Sequence, residues 1–161
     1  MPANLGLLVM LKVLTYDSTF DKRGGDGEFL VLVPFTYPQS ASALELSAAG
    51  AELTTRSIQG RRLHFEPQPA ADLEAQLVAR RPAALLIPAD TPLEQARVFA
   101  AAAERRKIYT MSLDEGLVKA GLTVGVALNN GKPQVIINAT AAKAIGADFN
   151  SAVMRVARVY Q

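Results

Sequence analysis

The residues of this sequence that could do chemistry are few and scattered. Its single histidine, His64, stands between Leu63 and Phe65 with no nucleophile near it in sequence. Catalysis by a lone base needs a partner to activate, so His64 reads as a surface or pocket-edge side chain. There is no cysteine, which excludes thiol catalysis, thiolate metal sites and disulfides. No Gly-x-Ser-x-Gly elbow is present, and no cluster of ligands at metal-site spacing. The stretch Gly24-Gly25-Asp26-Gly27 precedes the apolar run Phe29-Leu30-Val31-Leu32-Val33. A phosphate loop needs its glycines at a helix amino terminus, where free N–H groups point at the anion, so this stretch reads as a flexible turn. There is no Gly-x-Gly-x-x-Gly fingerprint for a dinucleotide. A phosphoacceptor site would need carboxylates at the far end of the run 29–33 to hold a hard cation. Asp21 and Asp26 stand at its entry instead. The sequence therefore predicts no catalytic residue, no cofactor and no metal.

What remains is a set of side chains at the ends of three apolar runs: Phe35, Thr36 and Tyr37; Asp90 and Thr91; Ser112 and Asp114. If the runs are parallel strands, their carboxyl ends form the crevice in which open α/β sheets hold ligands. Each residue also has a structural reading. Thr91 and Asp114 are adequate helix caps, Pro88 ends a strand, and Phe35 belongs equally well to a core.

The elements that must position these residues follow from periodicity and turn chemistry. Asn4 is placed to cap a helix running to about Tyr16, apolar nearly all round, with Leu5, Leu8, Leu11 and Val9, Val13, Leu14 on adjoining faces. Such a helix is buried on more than one side. Either it carries core on one face and a subunit contact on the other, with Leu5, Leu8, Val9 and Lys12 as the dimer contact, or neighbouring loops cover it. The run 29–33, bounded by turn residues and Pro34, fits a strand buried on both faces. Ser40 or Ser42 opens a helix through about Leu53, and Arg62–Phe65 is a short strand. A helix leads from Asp72 to Arg80-Arg81, a strand covers 83–87, and Thr91 caps a helix with Pro92 at its first position and Glu94 behind it. That helix ends near Arg106. A strand at 107–111 and a short helix from Asp114 to Gly121 complete four strand–helix alternations, the pattern of a parallel sheet with helices on both faces. After Gly121 the pattern changes. Residues 123–128 and 134–137 flank Asn129-Asn130-Gly131-Lys132, a hairpin signal because Asn and Gly accept positive φ. Asn138 then caps a short helix from Thr140 to Ile145, and Ser151–Tyr160 reads as a last helix with Val153, Val156, Ala157 and Tyr160 inward. The expected architecture is one three-layer α/β domain over residues 1–161, mainly parallel, with a carboxyl-terminal antiparallel hairpin.

Composition agrees with that class. Of 161 residues, 50% are hydrophobic and 20% charged, enough apolar material for one core. A net charge of +2 with no basic stripe interleaved with aromatics argues against nucleic acid. The longest apolar run, Leu5–Leu11, is too short to span a bilayer. Met1-Pro2-Ala3-Asn4 carries no basic side chain of the kind that opens a signal peptide, so an exported form would have lost its signal ahead of this point, and Met1 would be a vector methionine.

Several stretches together resemble one family. They are Met10-Leu11-Lys12-Val13-Leu14-Thr15-Tyr16-Asp17, Ala120-Gly121-Leu122-Thr123-Val124-Gly125-Val126, Val135-Ile136-Ile137-Asn138, Ala141-Ala142 and Asp148-Phe149-Asn150-Ser151 with Val153-Met154 and Ala157-Arg158. Their order is similar to that of the YfiR family of small envelope proteins. The resemblance implies a fold similar to one lobe of a periplasmic binding protein, export to the periplasm, dimers, and a regulatory role. The founding member restrains a membrane-bound diguanylate cyclase and so lowers cyclic-di-GMP signalling. It supplies no catalytic residues to carry over. The founding member's cysteines are missing here, so redox control through disulfides cannot operate. Two readings stand: a periplasmic regulatory module acting by contact with a protein such as a membrane cyclase or sensor, and a small-ligand binding protein using the crevice. In the matched residues the chemistry is structural, with Asn138 as a cap and Gly125 as a bulge or a close backbone approach.

Overall fold

The structure, a computed structural model, describes every residue from Met1 to Gln161 except Tyr37. The elements run α1 (Ala3–Leu14), β1 (Glu28–Phe35), α2 (Ala41–Leu53), β2 (Ser57–Ile58), β3 (Arg61–Pro69), α3 (Leu73–Arg80), β4 (Ala84–Leu86), α4 (Leu93–Arg105), β5 (Tyr109–Ser112), α5 (Glu115–Ala120), β6 (Val124–Asn129), β7 (Lys132–Asn138), α6 (Ala139–Ala144), α7 (Ser151–Val156) and β8 (Arg158–Tyr160). Among the described residues the strands form one sheet in the order β2-β3-β1-β4-β5-β6-β7-β8. The pairs from β3 through β6 are parallel, and β6–β7 is antiparallel. This is the expected α/β architecture.

Alternate residues of each central strand feed two cores, because successive side chains point to opposite faces. Phe29, Val31 and Val33 of β1 join Leu86, Tyr109 and Met111 under α1, α2, α6 and α7. Leu30 and Leu32 join Leu85 and Ile87 under α3, α4 and α5. Helix α1 thus buries Leu7, Met10, Leu11 and Leu14 on the sheet. The β6–β7 turn places Asn130 at φ 53° and Gly131 at φ 77°, the paired positive values a two-residue hairpin requires. No helix among the described residues is long and apolar enough to cross a membrane.

Four local expectations are corrected. The last helix stops at Val156, and Arg158–Tyr160 pairs in parallel with Ile136–Asn138 as an edge strand; Val156 is 67% exposed rather than inward. Helix α4 starts at Leu93 with Pro92 at its cap position, so Thr91 makes no cap bond. Asn4 lies inside α1, and its Oδ1 accepts from the N–H of Leu5 instead of capping the helix from outside. The strand expected at Arg62–Phe65 extends to Pro69 and is preceded by a tight turn at Gln59-Gly60 that adds β2.

Gly125 shows the close approach expected of it. A Cβ there would lie 2.5 Å from Cγ2 of Val118 and 2.8 Å from the backbone oxygen of Ser112. A strand carbonyl cannot swing aside as a side chain does, so Gly125→Ala forces β5, β6 and α5 apart. A loss of about 1–3 kcal/mol is expected, read by urea unfolding. Unchanged stability would mean that the sheet yields at this point.

Candidate functional site

The strand order reverses at β1. Its successor β3 lies on one side and β4 on the other, so the switch point lies between the carboxyl ends of β1 and β4. Phe35, Thr36, Asp90 and Thr91 meet there, lining one cavity with Ser40 and Phe99. The amino end of α2 closes it. Ser40 Oγ caps α2 by accepting from the Ala43 N–H at 3.1 Å and donates to Asp90 Oδ1 at 2.9 Å. Ser42 Oγ accepts from the N–H of Ala89 at 3.0 Å. The space left is about 60 Å³, far below the ~300–1,000 Å³ of small-molecule sites. Tyr37 lies outside the described residues. Ser112 and Asp114 do not line this cavity. Ser112 is fully buried and its Oγ accepts from the Asp114 N–H, while Asp114 caps α5 through the N–H of Leu117.

On α1, Leu5, Leu8, Val9 and Lys12 form the outer stripe. Leu5 is 43% exposed, Leu8 and Val9 are half-buried, and Lys12 is exposed. Leu8 and Lys12 form one wall of a groove of about 570 Å³ whose other wall is Thr55–Gln59. Among the described residues no three His, Asp or Glu side chains gather closely enough to hold a metal ion. His64 is partly exposed on β3, 3.4 Å from Glu66, which also binds Arg80.

The most concentrated polar chemistry lies away from the strand-end crevice. Asp17, just after α1, is buried and accepts four hydrogen bonds. Its Oδ1 takes the N–H groups of Thr19 at 2.9 Å and Asp148 at 2.7 Å; its Oδ2 takes Thr19 Oγ1 at 2.7 Å and the hydroxyl of Tyr109. The Arg23 guanidinium stands 3.7 Å from Oδ2. Burial works against the charge on Asp17, but the bonds from Tyr109, Asp148 and Thr19 outweigh it and hold the carboxyl below its usual range. Burial, and then the bond to Asp17, push the Tyr109 hydroxyl far up, so it stays a neutral donor. The network ties the end of α1 to β5 and to the turn before α7. Its members come from positions 17, 19, 23, 109 and 148, and no local motif announces them.

Five cations line a cavity of about 600 Å³ at the opposite end of the sheet from the switch point: Lys22, Arg23, Arg81, Arg106 and Lys107. In a parallel sheet the crossover helices run back against the strands, so their carboxyl ends collect at the strands' amino ends. The pairs Arg80-Arg81 and Arg106-Lys107 at two helix ends were the available signal.

The architecture is that of an α/β domain with one mostly parallel sheet and helices on both faces. The chain belongs to the YfiR/HmsC-like family, whose model matches residues 9–158. No curated protein matches the sequence. Solved structures that share the fold include three from bacteria. The first, described as an ABC domain in complex with L-Trp from Streptococcus pneumoniae, aligns with a TM-score of 0.66 at 10% identity over 99% of this chain and 62% of its own. A conserved domain protein from Vibrio cholerae gives 0.65 at 16% identity over 99% and 60%. A ligand-free, open substrate-binding protein with adhesive properties from Clostridium difficile gives 0.65 at 12% identity over 89% and 57%. The chain thus spans only about three fifths of each of these structures.

Proposed function

We propose that the chain is a non-enzymatic regulatory module that works in the periplasm through protein contact and restrains a membrane-bound diguanylate cyclase or sensor. The observation that carries this reading is membership of the YfiR/HmsC-like family over residues 9–158. The narrow switch-point cavity supports it, since the position where this architecture holds ligands offers only about 60 Å³. The test is crosslinking of the native protein in its own cells followed by mass spectrometry. Recovery of a membrane protein with a cyclase or sensor domain is the expected result; recovery of the chain alone would sink the reading.

Self-association belongs to the same reading. The outer stripe of α1, with Leu5, Leu8, Val9 and Lys12, is the proposed contact with a second copy. Wild type is expected at twice 17.2 kDa in light scattering. Leu8→Asp, which would place a charge in that contact, is expected at the single-chain mass. A monomeric wild type, or a variant that remains dimeric, would remove the contact.

The second reading is a small-ligand binding protein. The L-Trp complex and the substrate-binding protein among the fold relatives favour it. It requires the Ser40–Asp90 bond to open and Phe35, Thr36, Asp90 and Thr91 to part. A small molecule that raises the melting temperature of wild type but not of Asp90→Ala would select it, because binding only to the native state stabilises by mass action.

A further inference from the structure

We propose that the cavity at the amino ends of β4 and β5 binds a small organic oxyanion, a phosphate or carboxylate group on an apolar body. This site is distinct from the switch-point cavity and from the α1 stripe, and it does not depend on the contact reading above.

The cavity measures about 600 Å³ and has five cationic and no acidic side chains in its lining. That volume lies within the ~300–1,000 Å³ range of small-molecule sites. Two of the cations are committed to the protein. Arg23, only 5% exposed, donates through Nη1 to the carbonyls of Lys107 at 2.8 Å and Ile145 at 2.7 Å, and through Nη2 to Thr19 Oγ1 at 2.8 Å. Its Nε is buried without a protein partner. Lys107 Nζ donates to the carbonyl of Ala144 at 2.9 Å. Bonds of this kind satisfy helix carboxyl ends, and favourable placement of cations near helix carboxyl termini is general.

That structural role does not extend to the other three. Lys22, Arg81 and Arg106 are exposed on the same lining, with no hydrogen bond or ion pair from their side chains among the described residues. Several like charges held around one hollow repel each other, and an oxyanion among them relieves that repulsion. Guanidinium groups suit the task because their planar donors match phosphate and carboxylate oxygens in pairs. The walls between the cations are apolar: Leu77, Val78, Pro82 and Ile108 line the cavity. Val78 is 56% exposed there. Charge at the rim and apolar surface between specify an anion with an organic body over a bare ion.

The test is amide NMR of the full chain titrated with phenyl phosphate, benzoate and neutral benzyl alcohol. Saturable shifts are expected at Gly24, Arg81, Ile108 and Gly146 for an anion, with at least tenfold tighter binding than for benzyl alcohol and weakening as salt is added. The tighter of the two anions names the head group. Arg81→Gln/Arg106→Gln removes two cations that bond to nothing in the fold and is expected to weaken binding at least tenfold. Lys132→Gln, which removes an exposed cation in the β6–β7 turn away from this cavity, should leave it unchanged. Shifts mapping to Thr36 and Asp90, equal binding of the neutral alcohol, absence of saturable shifts for both anions, or an unaffected double variant would each overturn the site.

Discussion

Asp17→Ala is expected to lower folding stability by about 3–5 kcal/mol, the cost of removing one partner from a buried charge pair. For a chain of this size each kcal/mol corresponds to about 2–4 °C in melting temperature, so thermal unfolding should move down by roughly 10 °C. The size of the effect comes from what is stranded. Arg23 stays buried, fixed by the carbonyls of Lys107 and Ile145, with its nearby carboxylate gone. The Tyr109 hydroxyl and the N–H of Asp148 lose their acceptor in the same step. A stranded buried donor forfeits its full solvation, about 1–3 kcal/mol. A loss under about 1 kcal/mol would mean that water replaces the carboxylate and that the network is ornamental to stability.

The same residue sets an acid limit. Asp17 is held below its ordinary value in the folded protein, while in the unfolded chain it titrates near about 3.9. A depressed folded pKa contributes stability that is fully present above the unfolded value and is lost as pH falls through the folded one. The stability gap between wild type and Asp17→Asn should therefore stay level from neutral pH to about 5 and narrow below about 4. Urea unfolding at stepped pH reads it. A gap unchanged down to pH 2.5 would show that the carboxyl gains nothing from being charged.

Periodicity revealed most of the architecture for a physical reason. A strand covered on both faces must be apolar at every position, as Phe29–Val33 is, and a crossover helix must carry a stripe. Where local pattern and tertiary pairing compete, pattern misleads. Val153, Val156, Ala157 and Tyr160 have helical spacing, yet the backbone turns extended at Ala157. The outer edge of β7 offers unpaired ladder groups to residues 158–160, and Glu115 accepts from both Arg158 and Tyr160 at 2.6 Å. Those gains are invisible in a ten-residue window. Of the crevice residues, Phe35, Thr36, Asp90 and Thr91 come together because strand ends are legible. The closure of their crevice is not, since it depends on Ser40 reaching a loop 50 residues away. The Asp17 network is hidden for the same reason: its partners are 92 and 131 residues distant.

Asn138→Ala is expected to cost about 2–4 kcal/mol, the loss of a helix cap worth about 0.5–2 together with stranded acceptors worth about 1–3. The residue is 4% exposed at the end of β7. Its Oδ1 accepts from the N–H of Ala141 at 3.0 Å and so starts α6; its Nδ2 donates to the carbonyls of Val118 at 3.0 Å and Lys119 at 3.3 Å and so closes α5. One amide thus serves the amino end of one helix and the carboxyl end of another. Asn138→Asp separates the two halves. Asp is as good a cap as Asn, but it offers no donor and turns a charge toward two carbonyls. If both halves matter, Asp is destabilised as severely as Ala; if the cap alone matters, Asp unfolds at the wild-type urea midpoint. The geometry favours the first outcome, because a carboxylate at 138 would face the carbonyl of Lys119, which takes no backbone N–H at the end of α5, and that of Val118, which takes only the N–H of Gly121.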